Sequence, residues 1–175
     1  MYAIRVFGDP VLTRPARDVT EFDGALARVV DMMHETMYEA VGVGLAAPQV
    51  GMRKRIFTYD VGEGPQVMIN PVVSEAEGEW VHEEGCLSVP GLHFDVVRPQ
   101  RVTVSGLDVD ANAVVIEDDD FLGRVFLHEI DHLDGVLLLD RLEPTDRKQA
   151  LRELRRRELV NVGPPSAPAD GRLRL

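Results

Sequence analysis

The segment His128-Glu129-Ile130-Asp131-His132 carries two imidazoles and a carboxylate at spacings that suit metal chemistry. On a helix, residues four apart share one face, so His128 and His132 can hold a single ion between them. Glu129 lies about 100° further round the axis, near enough to handle the proton of a water on that ion. A Lewis acid, a water and a base together make a metal-dependent hydrolase. The competing reading is a helix surface on which two histidines and a glutamate fall together by chance. Leu122, Val125, Phe126, Leu127 and Ile130 surround the histidines with apolar residues, which buries the helix and leaves each ring nitrogen in need of a partner. Helical steps toward the N-terminus reach Val125 and Phe121, an apolar patch that serves either as core or as the wall of a substrate pocket.

The chain has one cysteine, Cys86, which excludes an internal disulfide. A lone cysteine is ordinarily a small buried apolar side chain. Here Glu83-Glu84-Gly85-Cys86-Leu87-Ser88-Val89-Pro90 is turn-like, with glycine directly before the thiol, a setting that suits a ligand. Two histidines and one cysteine leave a fourth tetrahedral position for water, the pattern of catalytic rather than structural zinc-type sites. The segment Gly42-Val43-Gly44-Leu45-Ala46-Ala47-Pro48-Gln49-Val50-Gly51 reads as a tight loop whose small residues let backbone approach a neighbour. Gln49 offers an amide donor that could serve a developing oxyanion.

The elements that must position these residues follow from hydrophobic periodicity. Residues 22–40 have helical spacing, with Asp23 as N-cap. Residues 55–61 and 66–73 are strand-like, followed by shorter strands over 79–86, 93–97, 101–108 and 112–117. The metal helix spans about 119–134 and a last helix about 144–160. Residues 1–160 are expected to form one catalytic domain, and 161–175, rich in proline and small residues, a disordered tail. Helix, strands, then helices predicts an α+β fold: antiparallel sheets around the central metal helix, flanked by an N-terminal and a C-terminal helix.

At 175 residues the chain can bury a core without cross-links, and its net charge of −11 argues against sequence-specific nucleic-acid recognition. No apolar run is long enough for a membrane span, and Met1-Tyr2-Ala3-Ile4-Arg5-Val6 lacks the features of a signal peptide, so a cytoplasmic location is expected. Arg147, Lys148, Arg152, Arg155, Arg156 and Arg157 make the last helix basic: a solvated face, or a docking element for an anionic partner.

Three segments in order, Gly42–Gln49, Glu84-Gly85-Cys86-Leu87-Ser88 and His128-Glu129-Ile130-Asp131-His132, resemble the motifs of peptide deformylase, and Asp9-Pro10-Val11-Leu12 is similar to that family's N-terminal segment. The resemblance implies removal of the formyl group from the N-terminal formyl-methionine of new proteins, with release of formate. It implies that Cys86, His128 and His132 bind one divalent ion: Fe²⁺ foremost in the cell, with Zn²⁺ or Ni²⁺ as alternatives in purified protein. Water on that ion attacks the formyl carbon, Glu129 acts as general base and then general acid, and Gln49 with the Leu87 backbone N–H holds the oxyanion. The methionine side chain enters a pocket of Val43, Phe121, Val125 and the His128 ring, and Gly44, Gly85 and His93 meet the peptide. His93 stands where some members carry arginine, Leu127 where many carry glutamine, and Arg124 where many are apolar. Asp131 is expected to pair with Arg98. The expected partners are formyl-methionyl nascent peptides, with ribosome docking through the basic helix. Two other readings stand beside this one: a zincin-like metallopeptidase, whose third ligand would come from downstream acids such as Glu143 or Asp146, and a non-catalytic binder of formylated N-termini.

Overall fold

The computed structural model describes residues 1–160; the tail expected over 161–175 lies outside the described residues. Three helices, α1 (Gly24–Glu39), α2 (Phe121–Asp134) and α3 (Pro144–Val160), combine with seven strands. These are β1 (Gly44–Ala46), β2 (Ile56–Tyr59), β3 (Gln66–Glu77), β4 (Trp80–Cys86), β5 (Val89–Arg98), β6 (Arg101–Leu107) and β7 (Ala113–Asp118). Five of them form an antiparallel sheet in the order β1-β2-β3-β6-β7, and β4 and β5 form a separate antiparallel ribbon. The α+β architecture expected from the sequence is present.

The β1–β2 end of the sheet is buried on both faces because its residues alternate between two cores. Ala46, Phe57 and Met68 join Val125, Phe126, Ile130 and Leu133 of α2 in one cluster. Their chain neighbours Leu45, Ile56 and Ile69 join Leu26, Val30, Met33 and Met37 of α1 in another. The first helix starts at Asp23, whose Oδ1 accepts the backbone N–H groups of Ala25 and Leu26, both at 2.9 Å. The second approaches the sheet closely at Gly123, where a Cβ would stand 2.8 Å from Val102 Cγ2. A third cluster covers the ribbon: Cys86, Val89 and Val96 pack against Leu138, Leu139 and Leu142 and against Ala150 and Leu154 of α3.

Two expectations need correction. The glycine-rich segment is not only a loop: Gly44–Ala46 pairs with Phe57–Tyr59, and a 3-10 turn over Ala47–Val50 follows. A three-residue strand buried on both faces has no room to display a period of two. The strand expected over 93–97 is longer, because Pro90 and Gly91 are absorbed into β5. Gly91 takes a φ of 73° there, which a glycine adopts without strain.

The aromatic centre of the α2 side is Phe126, fully buried, with its ring 5.4 Å from Phe57 and 4.8 Å from Tyr59 between centroids. Phe126→Ala is expected to lower stability by about 3–5 kcal/mol, read as a shift in the urea unfolding midpoint at constant slope.

Candidate metal centre

The site forms where the ribbon meets the second helix. Strand alternation sends Glu84 and Cys86 to the same side of β4, toward α2, and helical spacing sends His128 and His132 to the same side of α2. Cys86 Sγ and one nitrogen from each histidine lie within 4.8 Å of one another, all three residues buried, the one such donor group among the described residues. Cys86 Sγ is 3.2 Å from His132 Nε2. His128 gives its Nδ1 to Glu84 Oε2 at 3.0 Å, which leaves Nε2 as the free lone pair, and that Nε2 has no hydrogen-bond partner. Three soft or borderline donors converging with orphaned ring nitrogens fit a divalent metal better than any hydrogen-bonding scheme among themselves.

The electrostatics agree. Burial pushes the Cys86 thiol up to about 12, with the Glu129 charge adding to it and the backbone N–H groups of Ser88 and Val89 opposing it. Burial, with the nearby charges of His128 and Arg98, holds His132 well below the usual imidazole range. A neutral histidine is a ready ligand, and the thiol needs a cation to ionise it.

Glu129 is fully buried, and neither carboxylate oxygen has a hydrogen-bond partner. Burial raises its pKa well above the ordinary carboxylate value, only partly opposed by the Arg98 charge. Its neighbour is the backbone of β1: a Cβ on Gly44 would stand 2.3 Å from Glu129 Oε1. Gln49, also fully buried, accepts the Ala46 N–H at 2.8 Å through Oε1. That bond orients the amide, so Nε2 points at Cys86 Sγ, 3.8 Å away, and Ser88 Oγ, 3.3 Å away. Leu87 follows the cysteine in the turn between the ribbon strands and is buried.

Val43 and Val125 are buried in one cluster with Phe121 packed against it, so the two residues singled out from spacing share a cluster with Val43, which the resemblance implied. Phe121 also meets the His82 ring edge-on, with centroids 6.3 Å apart. His93 stands apart from the donor group. It faces Gly85 across the ribbon, where a Cβ would meet its ring at 2.7 Å, and its Nε2 is buried without a partner.

Beneath the donors lies an ion network that sequence reading anticipated only in part. Arg98 gives Nε and Nη2 to Glu84 at 2.6 and 2.9 Å, and Nη1 to Asp131 at 2.8 Å, the pair expected from the sequence. Arg141 also donates to Asp131, and Arg124 to Glu84. Burial alone would raise Glu84, but hydrogen bonds from His128 and Arg98 hold it well below the usual carboxylate range. The roles of Glu84 and Arg124 were missed. The available signal was a single charge on an apolar helix face, which requires a buried counter-charge.

A family model for polypeptide deformylase matches residues 1–148. The chain belongs to the polypeptide deformylase family. It is 51% identical over 148 residues to the peptide deformylase of Thermotoga neapolitana, covering 84% of this chain and 90% of that one. It is 53% identical over 140 residues to that of Agathobacter rectalis, covering 80% and 89%. Among solved structures, a peptide deformylase from Legionella pneumophila superposes with a TM-score of 0.88 at 38% identity, covering 94% of this chain and 99% of that one. The Ehrlichia chaffeensis deformylase solved in complex with actinonin has a TM-score of 0.86 at 36% identity, covering 90% and 98%. As a deformylase the chain is a hydrolase of the N-formyl amide bond.

Two outcomes test the site's geometry in this deformylase. Gly44→Ala should lower kcat/KM sharply while the protein stays folded, since the new methyl displaces the Glu129 carboxylate; wild-type kinetics would refute the contact. In metal-free protein, a Cys86 pKa moved from 9.0 to about 12 leaves roughly a thousandfold less thiolate at pH 8 than an ordinary thiol has. Alkylation by iodoacetamide should therefore be slow at pH 8 and quicken about tenfold per pH unit up to pH 11.

Proposed function

We propose that this chain removes the formyl group from the N-terminal formyl-methionine of newly made proteins in the cytoplasm, releasing formate. The observation that carries the reading is Glu129: a buried carboxylate with no hydrogen-bond partner, one residue from a metal-type donor and facing the backbone of β1. Structural carboxylates in this fold are paired, as Glu84 and Asp131 are. An unpaired one at the donor cluster is held ready for a proton.

Cys86 Sγ, His128 Nε2 and His132 would hold a divalent ion, Fe²⁺ in the cell, which supplies a Lewis acid and an acidified water. Glu129 takes the proton of the attacking water and delivers it to the leaving amine. Burial raises its pKa, which favours its keeping the proton between the two transfers. The Gln49 Nε2–H and the Leu87 backbone N–H donate to the oxygen that gains charge. The bond from the Ala46 N–H to Oε1 fixes the Gln49 amide with Nε2 beside Cys86. Val43, Phe121, Val125 and the His128 ring receive the methionine side chain, while Gly44, Gly85 and His93 line the path of the peptide. The third donor is Cys86, and no acid downstream of α2 joins the group among the described residues, which argues against a zincin-like peptidase.

The basic face of the last helix supports ribosome docking, with Arg157 the residue most drawn away from that face. Arg156 and Arg157 are engaged by Glu153, and Arg157 also donates to the Pro90 carbonyl at 2.6 Å. Arg147, Lys148, Arg152 and Arg155 line an outward cleft with Leu151.

Formate release from formyl-Met-Ala-Ser by anaerobically prepared Fe²⁺ protein is the expected activity. Glu129→Gln should reduce kcat by about 10²–10⁴-fold, and absence of formate from metal-verified wild type would remove the enzyme reading. Charge reversal at Arg152 and Arg155 should abolish salt-sensitive co-sedimentation with ribosomes and leave peptide turnover unchanged.

A further inference from the structure

Arg124 is the largest of the fully buried side chains, with 1% of its surface exposed, and it stands one turn before His128 on α2. Arginine cannot shed its charge, and burying it is costly unless every partner is in place. One nitrogen, Nε, has none. The others are all spent on the ribbon. Nη1 donates to Glu84 Oε1 and, at 3.2 Å, to the Val96 carbonyl, and Nη2 donates to the Trp80 carbonyl. The guanidinium carbon lies 4.7 Å from the centroid of the Trp80 ring. Methionine or leucine would fill much of this volume without the desolvation, so packing does not account for an arginine.

Glu84 does account for it. An ionised carboxylate has about four lone-pair sites, and here four N–H groups take them. Arg98 Nε and Arg124 Nη1 meet Oε1; Arg98 Nη2 and His128 Nδ1 meet Oε2. Without Arg124 one of these sites would be open in a dry interior, and the carboxylate could pivot away from the imidazole. We propose that Arg124 is a positioning residue of the metal site: by clamping Glu84 between two guanidinium groups it orients the His128 ring, and with it the Nε2 lone pair, toward Cys86 and His132. This rests on the reading of those three residues as metal ligands.

Co²⁺ titration of metal-free protein tests both levels. Wild type should bind one Co²⁺ per chain. Arg124→Met should bind about 10–100-fold more weakly, the range seen when outer partners of ligating histidines are lost. Its Co²⁺ absorption bands should also shift, because the imidazole is held differently. Arg124→Lys keeps the charge without the planar fork and should weaken binding as well, and it carries the test if the methionine variant does not fold. In a Glu84→Gln background the effect of either substitution should largely vanish, whereas a merely structural loss would add to it. Trp80 is the only tryptophan, so Zn²⁺ added to wild type should alter its emission through Arg124 with one-to-one stoichiometry. A folded Arg124 variant with wild-type Co²⁺ affinity and spectrum would overturn the proposal, and so would Trp80 emission that ignores Zn²⁺. Failure of wild type to bind either ion would instead remove the metal reading beneath it.

Discussion

The carboxylate of Glu84 joins two parts of the molecule that nothing else in the backbone ladder connects. The ribbon β4–β5 shares no strand pairing with the five-stranded sheet. It meets the rest of the protein through the Phe7 N–H to Ser88 carbonyl bond, through the apolar cluster around Val96 and Leu139 and, at its buried centre, through Glu84 with Arg124 and His128 and Arg98 with Asp131. Buried pairs of this kind add little net stability compared with apolar packing, but removing one member costs several kcal/mol because the other charge is stranded. Their value here is geometric. Directional, saturated hydrogen bonds hold a cysteine from one unit and two histidines from another to within a few ångströms.

Against that saturated network, Glu129 is an exception. It is buried beside the same donor group, yet neither of its oxygens has a hydrogen-bond partner and its pKa is raised rather than lowered. The two glutamates show how one interior makes opposite use of the same side chain. Donors on all sides keep Glu84 ionised and fixed. Burial against the β1 backbone, at the point where Gly44 carries no side chain, raises the pKa of Glu129 instead.

Much of this was legible in the sequence because it depends on short-range spacing. Helical registry alone brought His128, His132, Val125 and Phe121 to one face, and the glycine before Cys86 marked its thiol as a candidate donor. The Asp131–Arg98 pair could be anticipated from the family pattern at Asp131. What stayed hidden depends on contacts between distant segments. Arg124 looks like a defect in an apolar stripe until Glu84, forty residues away, is placed against it. The short strand Gly44–Ala46 was read as a loop because glycine and alanine carry no alternation to see. Composition also cannot show that Arg157 is drawn down to Glu153 and the Pro90 carbonyl while Arg156 stays largely exposed.

The paired placement of Glu84 with His128 and Cys86 with His132 has a metric consequence. Two residues along a strand advance about 6.6–6.8 Å, and four along a helix about 6.0 Å. The ribbon therefore presents its carboxylate and its sulfur at almost the same pitch as the helix presents its imidazoles, and the two elements mesh like racks of equal tooth spacing. Inserting one residue between 84 and 86, or between 128 and 132, would break the match and separate both pairs together. The lengths of these two short motifs are thus constrained by each other as well as by the chemistry each contains.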